Sequence, residues 1–390
     1  MLALTIALAG ATALWVLAAV SVFFGLRSLQ SLTDLPSAKL EVWPKLSVIV
    51  PALNEEATIE AALRSLLSTR YPNVEVLAID DRSTDGTGAI IDRLAAEHAR
   101  LRAIHLSELP AGWLGKVHAL HRGVGAATGE WVLFTDADVH FAPEAFERLV
   151  AAAEGARLDH LAIFPRMLAP GLALQAVIST FAVGFALLVK PHRVRDPRSS
   201  AAVGVGACNL VRRAALDRTP GFEWLRMEVA DDVGLGLMLK QHGGRPDCAS
   251  ALEQVAIEWY PTVGALVRGL EKNSYGLLSG YSLLRFTVLL ALSTFLALAP
   301  YALPLVTSAP WALALTLSAV VVWHAVHVYA SVLNGHRVAA GLLGPFLGGA
   351  VMTWTIVRSA WRFVRQGGAM WRGTLYPAAE LRAGRRIKFF

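Results

Sequence analysis

The chain opens on an uninterrupted apolar run, LALTIALAGATALWVLAAVSVFFGL from Leu2 to Leu26, with no charged side chain. About 20 apolar residues suffice for a helix to cross a bilayer, so the run predicts a transmembrane helix over 1–28. A secretory signal is the rival reading. It requires a basic segment ahead of the apolar one, a shorter core and a small-residue cleavage site, and no Lys or Arg precedes Arg27. From Lys45 the pattern changes to short β-rich runs alternating with helical ones. LSVIVPAL, VEVLAID, LRAIHL and EWVLFTDAD read as strands, and EEATIEAALRSLLS, DGTGAIIDRLAAEH, GKVHALHRGVGAA and PEAFERLVAAAE as the helices between them. Such alternation predicts an α/β domain over 43–282, a mainly parallel sheet with helices on both faces.

Beyond it lie apolar segments at 283–306, 311–333 and 338–357, each long enough to span. They predict a helical membrane region over 283–358, followed by a basic tail over 359–390. In the third segment Pro345 stands among glycines, and Trp354, Val357, Trp361 and Val364 follow at helical spacing beside Arg358, Arg362 and Arg365. This pattern predicts a broken or re-entrant piece leading into an interfacial helix. A further apolar run at 171–190 interrupts the middle domain and carries Gln175 near one end; it is read as a helix at the membrane surface rather than a crossing.

Composition agrees with a membrane location. At 390 residues, with 55% hydrophobic and 17% charged positions, the chain is too apolar for a soluble enzyme of this size. Arg358, Arg362, Arg365, Arg372, Arg382, Arg385, Arg386 and Lys388 oppose the single acid Glu380, and Arg27, Lys39 and Lys45 follow the first helix. By the positive-inside bias both regions, and the domain between them, belong in the cytoplasm. The net charge of +6 then reflects topology and anionic lipid, and no nucleic-acid partner is expected. Three full crossings after the domain would place the tail outside, so one segment is expected not to cross. Cys208 and Cys248 make no metal-type pair and are expected as reduced thiols.

Candidate chemistry sits at the strand ends. The first strand ends in Asn54-Glu55-Glu56, the second in Asp80-Asp81 and the fourth in Asp136-Ala137-Asp138; in open α/β sheets ligands bind beyond the carboxyl ends of the strands. No G-x-G-x-x-G follows the first strand, which excludes a dinucleotide fingerprint. GVG at 123–125 and 204–206 reads as packing or turn glycine. Two acids flanking one alanine repel each other unless a cation lies near. The pair Asp136 and Asp138 suits Mg2+ or Mn2+ bridging phosphate oxygens; the alternative is a helix cap for the FAPEAF segment. Lys116 at a helix start is unfavourable unless an anion shares the spot, which points to a phosphate contact over simple exposure. His118 and His121 lack the acid partners a zinc site needs.

PALNEE, DDRSTDGT, GWLGK, TDAD, CNLVRR and ADDVGLGLMLKQHGG, in this order over about 45–255, resemble the membrane-attached family 2 glycosyltransferases with a GT-A fold. GWLGK together with WRGTLYP is most similar to the branch that glycosylates lipids of carotenoid or hopanoid type. The resemblance implies an inverting, metal-dependent transfer of one sugar from a nucleotide-sugar, a UDP-sugar first, to a membrane lipid. It also implies an integral protein of a bacterial inner membrane with its catalytic domain in the cytoplasm. Carried over residue by residue, it makes Asp138 the direct metal ligand, with Asp136 nearer the ribose or sugar. It sets Asp81 against the base, Glu55 beside base and ribose, and Pro51 and Asn54 on the donor; turn chemistry is the alternative for these loops. Single displacement at the anomeric carbon needs a base opposite the leaving diphosphate. The resemblance makes that base Asp232, with Asp231 as the neighbour that shapes it or caps the helix. The Gln-x-x-Arg-Trp motif of processive synthases is missing, and WYPTVGALVRGLEKNSYG stands in its region. There Arg268 and Lys272, one helical turn apart, are candidates for the diphosphate or for membrane-edge charge. A polysaccharide synthase and a noncatalytic membrane scaffold are the alternative functions.

Overall fold

The computed structural model describes residues 1–388. Its strands are β1 (Leu46–Ala52), β2 (Val74–Asp81), β3 (Leu101–Leu106), β4 (Trp131–Phe134), β5 (Val139–Phe141), β6 (His160–Phe164), β7 (Arg166–Met167), β8 (Asn209–Arg212), β9 (Pro246–Ser250), β10 (Val255–Ile257), β11 (Gly368–Trp371) and β12 (Thr374–Pro377). Helices α1 (Leu2–Arg27), α2 (Ile59–Leu67), α3 (Thr87–Glu97), α4 (Gly115–Ala126), α5 (Ala145–Gly155) and α6 (Leu172–Val189) precede two short turns, α7 (Arg213–Leu216) and α8 (Phe222–Leu225). Then come α9 (Asp231–Gln241), α10 (Val263–Ser279), α11 (Leu283–Val306), α12 (Pro310–Leu333), α13 (Val338–Leu343), α14 (Gly349–Gln366) and α15 (Ala378–Gly384).

Seven strands form one sheet in the order β3-β2-β1-β4-β8-β6-β9. Every residue of β1 is buried, as a strand covered by helices on both faces must be, which explains its unbroken apolar run. β1 lies parallel to β2 and β4, whereas β8 runs antiparallel to β4 and β6. The sheet is therefore α/β and mainly parallel. Because β1, β2 and β4 point the same way, the loops after them open at one edge. A small sheet, β5-β10-β7, flanks that edge.

Among the described residues, five helices are long and apolar enough to cross a membrane by length and composition. They attach to the sheet differently. The α11–α12 turn lies with the start of α1, where Leu8 and Ala11 pack against Ala299, Leu303 and Ala312. In contrast, α6 leaves the sheets after β7 and returns at Val194, whose carbonyl accepts from Lys240 Nζ of α9 at 2.8 Å. The α13–α14 run likewise begins at the domain, where His336 Nε2 lies 2.8 Å from the Met167 carbonyl of β7, and ends in the β11–β12 hairpin. In sequence α6 reads as a separate surface helix; it packs against α1, α12 and α13.

Two features differ from the sequence reading. The run through Pro345 is not broken: Gly344–Gly348 is a π-helical turn joining α13 to α14. The wider turn accommodates the missing proline N–H, and Thr180 of α6 donates to the Gly344 carbonyl at 2.9 Å. The stretch 359–390, expected as a basic tail, is folded as far as Lys388, and its last two positions lie outside the described residues. Arg358 and Arg362 both pair with Glu271 of α10, and Trp371, Tyr376 and Leu381 are buried in the domain core. Those apolar side chains could not be left in water, and they dock the segment against the sheet domain.

Candidate active site

The β1 and β2 loops are stitched to each other first. Asn54 adopts a left-handed φ of 55°, which asparagine tolerates at turns. Its Oδ1 accepts from Thr84 N at 2.8 Å, and its own N–H donates to Ser83 Oγ at 3.1 Å. Its side-chain oxygen and backbone N–H are thus engaged between the two loops. Pro51 is a buried position within β1, in register with Ile79. Asp80 accepts from Ser83 N and contacts His105 Nδ1 at 3.0 Å, so it orders the loop. Asp81 is almost fully buried and accepts from Arg82 Nε and Nη2 at 2.8 and 3.0 Å. Glu55 N donates to Thr87 Oγ1 at 2.7 Å, and its carboxylate faces the crevice.

At the crevice floor, Lys116 resolves the repulsion among the acids. It enters on the first turn of α4 and lies 2.8 Å from Asp136 Oδ1 and 3.5 Å from Asp231 Oδ2. Burial alone would discharge the amine, but Asp136, Asp231 and Asp232 outweigh it and hold Lys116 well above the usual lysine range. Burial likewise opposes charge on Asp136, and Lys116 nevertheless keeps that carboxyl low. Asp232 Oδ2 accepts from Gly206 N at 3.0 Å, and Oδ1 from its neighbour Val233 N at 2.8 Å. Burial, then the adjacent Asp231, push Asp232 up to about 6. Gly206 is missed by the sequence reading as a site residue. A Cβ there would stand 2.7 Å from Asp136 Oδ2, so glycine lets this backbone pass close to Asp136 while its N–H donates to Asp232.

Asp138 is the acid left without a cation. Its Oδ1 is buried and has no hydrogen-bond partner. Burial, followed by the charges of Asp136 and Glu55, pushes its carboxyl up to about 7. An orphaned carboxylate oxygen among like charges fits a divalent cation with oxygen ligands. Among the described residues no group of three or more His, Cys, Asp or Glu side chains is arranged to hold a metal. The residues thus suit a cation that takes its remaining oxygens from a ligand and water. Tyr260 lies near Asp136 and Asp138, and burial followed by their charges pushes its hydroxyl up to about 12.

The two cations expected on α10 separate. Lys272 enters the crevice wall; burial, then Lys116 and Arg372, push its amine down to about 8. Arg268 is exposed, and the cavity lining begins one residue later at Gly269, so Arg268 lies outside that cavity. Arg372 takes a place that sequence reading left unfilled: its Nη2 donates to Glu55 Oε1 at 2.9 Å. The signal for it was GAMW-RG-TLYP, two short β-prone runs around a two-residue turn, with Arg372 and Gly373 at φ of 48° and 80°.

From this floor a cavity of about 500 Å³ runs toward the apolar helices. Its lining includes Lys116, Asp136, Asp231, Asp232 and Lys272 together with Phe181, Phe185, Leu277, Met352 and Ile356 of α6, α10 and α14.

Sheet order and strand-end acids define a GT-A fold. The sequence profile described as "Glycosyl transferase family 2" matches residues 47–219, and the chain carries a family 2 glycosyltransferase domain there. Asp231, Asp232, Lys272 and Arg372 lie beyond the matched residues. An uncharacterized glycosyltransferase, EpsJ, of Bacillus subtilis is 34% identical over 30% of this chain and 32% of its own. A beta-monoglucosyldiacylglycerol synthase of Synechocystis is 28% identical over 51% of this chain and 41% of its own. The chain thus spans less than half the length of these curated relatives. Among solved structures, the mannosyltransferase PcManGT of Pyrobaculum calidifontis, in complex with GDP-Man and Mn2+, aligns over 93% of this chain and 98% of its own at 21% identity and a TM-score of 0.56. That likeness shows the fold.

Proposed function

We propose that this protein is an inverting, metal-dependent glycosyltransferase that passes one sugar from a nucleotide-sugar to a membrane lipid. The single observation carrying the reading is one cavity lined both by carboxylates and lysines and by apolar side chains of the long helices. A wholly soluble acceptor would not require that apolar lining. The glycolipid-forming relative in Synechocystis agrees with a lipid acceptor.

In this reading Asp138 and Asp136 hold Mg2+ or Mn2+, which when bound supplies positive charge to the leaving diphosphate. Lys116 and Lys272 bind the diphosphate oxygens, and Glu55 and Asp81 face the nucleoside. Asp81 exchanges Arg82 for the base. The acceptor hydroxyl enters from the helix side, and Asp232 removes its proton. The hydroxyl oxygen then bonds to the anomeric carbon as the bond from that carbon to the diphosphate breaks, with inversion. Gly206 N keeps Asp232 aimed, and Asp231 stays paired with Lys116.

We infer further that α1, α11 and α12 cross the bilayer, while α6 and the α13–α14 run lie along its face. Each of the latter two leaves the sheet domain and returns to it, and both ends of a crossing helix cannot attach to one domain on one side. The α13–α14 run keeps Leu342, Phe346, Trp354 and Trp361 exposed, an apolar face suited to the lipid boundary. The sheet domain and C-terminal hairpin then share the cytoplasmic side, in keeping with the basic residues, and an inner bacterial membrane is the location that fits.

The test is transfer by the full chain in nanodiscs of bacterial lipid, using radiolabelled UDP- and GDP-sugars. We expect labelled lipid with Mn2+ or Mg2+, none in excess EDTA, and none from Asp232→Asn, which retains donor binding. Undiminished transfer in EDTA removes the metal, and undiminished transfer by Asp232→Asn removes the base.

A further inference from the structure

We propose that the β11–β12 hairpin forms part of the donor site and that Arg372, at its turn, binds the donor's diphosphate. The inference depends on reading the crevice as a nucleotide-sugar site. The hairpin touches three elements of the crevice wall. Arg372 reaches Glu55 after β1 at 2.9 Å. The Trp371 ring centroid lies 3.9 Å from Lys272 Nζ on α10. The Tyr376 hydroxyl accepts from Gly115 N at 3.1 Å, at the start of α4 beside Lys116.

Charge explains what the assembly lacks. Lys116 is answered by Asp136 and Asp231. Lys272 lines the cavity and forms no ion pair with any described carboxylate; its ammonium rests on the Trp371 ring, a cation–π contact that steadies it without neutralising it. Arg372 has Glu55 alone, a carboxylate that burial pushes above its usual range. An unpaired, half-buried cation beside a guanidinium with one exchangeable partner is a site short of an anion. A diphosphate supplies several acceptor oxygens, and a guanidinium binds two of them at once in a planar fork. On donor binding Arg372 therefore trades Glu55 for the diphosphate and leaves Glu55 facing the nucleoside. The left-handed φ of 48° at Arg372, followed by Gly373 at 80°, is the two-residue turn that projects this side chain from the hairpin tip.

Calorimetry on the full chain in detergent tests this, with UDP and GDP in the presence of Mn2+ and with uridine and guanosine alone. Wild type is expected to bind one of the diphosphates. Arg372→Gln should weaken that binding about 10- to 100-fold, the loss of a charge-assisted contact, and leave nucleoside binding unchanged. Hydrogen exchange over 368–377 in wild type should slow when the diphosphate is added, a readout that does not depend on the variant's folding. Equal diphosphate affinity in Arg372→Gln, an equal loss for the nucleoside, or unchanged hairpin exchange on binding overturns the hairpin inference and leaves the donor-site reading standing. Failure of wild type to bind either diphosphate removes the donor-site reading and the hairpin inference with it.

Discussion

Lys116 decides how four aspartates share one crevice. By pairing with Asp136 and Asp231 it absorbs two of the charges, and it leaves Asp232 and Asp138 without a cation, the two acids to which the proposed reaction gives the acceptor's proton and the metal. The division has a pH signature. Asp232, pushed up to about 6 by burial and Asp231, acts as a base only when deprotonated, so kcat/KM should fall as pH drops through about 6. Lys272, pushed down to about 8 by burial and its cationic neighbours, grips diphosphate only when protonated, so kcat/KM should fall again as pH rises through about 8. Because kcat/KM reports groups of the free enzyme, a bell between these limits is expected from steady-state rates at constant ionic strength. A flat profile from pH 5 to 7 would contradict the role of Asp232.

At the scale of elements, legibility in the sequence followed distance along the chain. The strands, the helices between them and the acids at strand ends were readable, because apolar alternation and local turn chemistry are short-range properties. The engagement of Asn54 was not, since its Oδ1 accepts from Thr84 on another loop. Arg268 and Lys272 look equivalent one turn apart, yet the cavity edge falls between them. Arg372 was least legible, because its partner Glu55 lies 317 residues away and a run of arginines also describes a solvated tail. Hydropathy alone also scores α6 and α13–α14 as crossings; only their return to the sheet domain separates them from α1, α11 and α12. Single cysteines test that division, since native Cys208 and Cys248 are buried. In oriented vesicles, Ser308→Cys in the α11–α12 turn and Glu380→Cys on α15 should react with an impermeant maleimide from opposite faces. Labelling of both from the same face would overturn the proposed crossings.

For the molecule as a whole, the membrane helices and the sheet domain close around a single cavity. The loop after β4 and the start of α9 contribute the acids, α4 and α10 the lysines, and α6 with α14 much of the apolar wall. Under the proposed function, a sugar donor from water and an acceptor from lipid would meet there without either leaving its own solvent, and burial at the meeting point would strengthen the electrostatics that hold the diphosphate. Lipid mass spectrometry tests this central claim most directly, comparing cells with the protein, without it, and with Asp232→Asn. The account predicts a lipid heavier than its parent by one sugar residue in the first cells alone; an identical lipid profile in all three, with the protein shown to be present and folded, would contradict it.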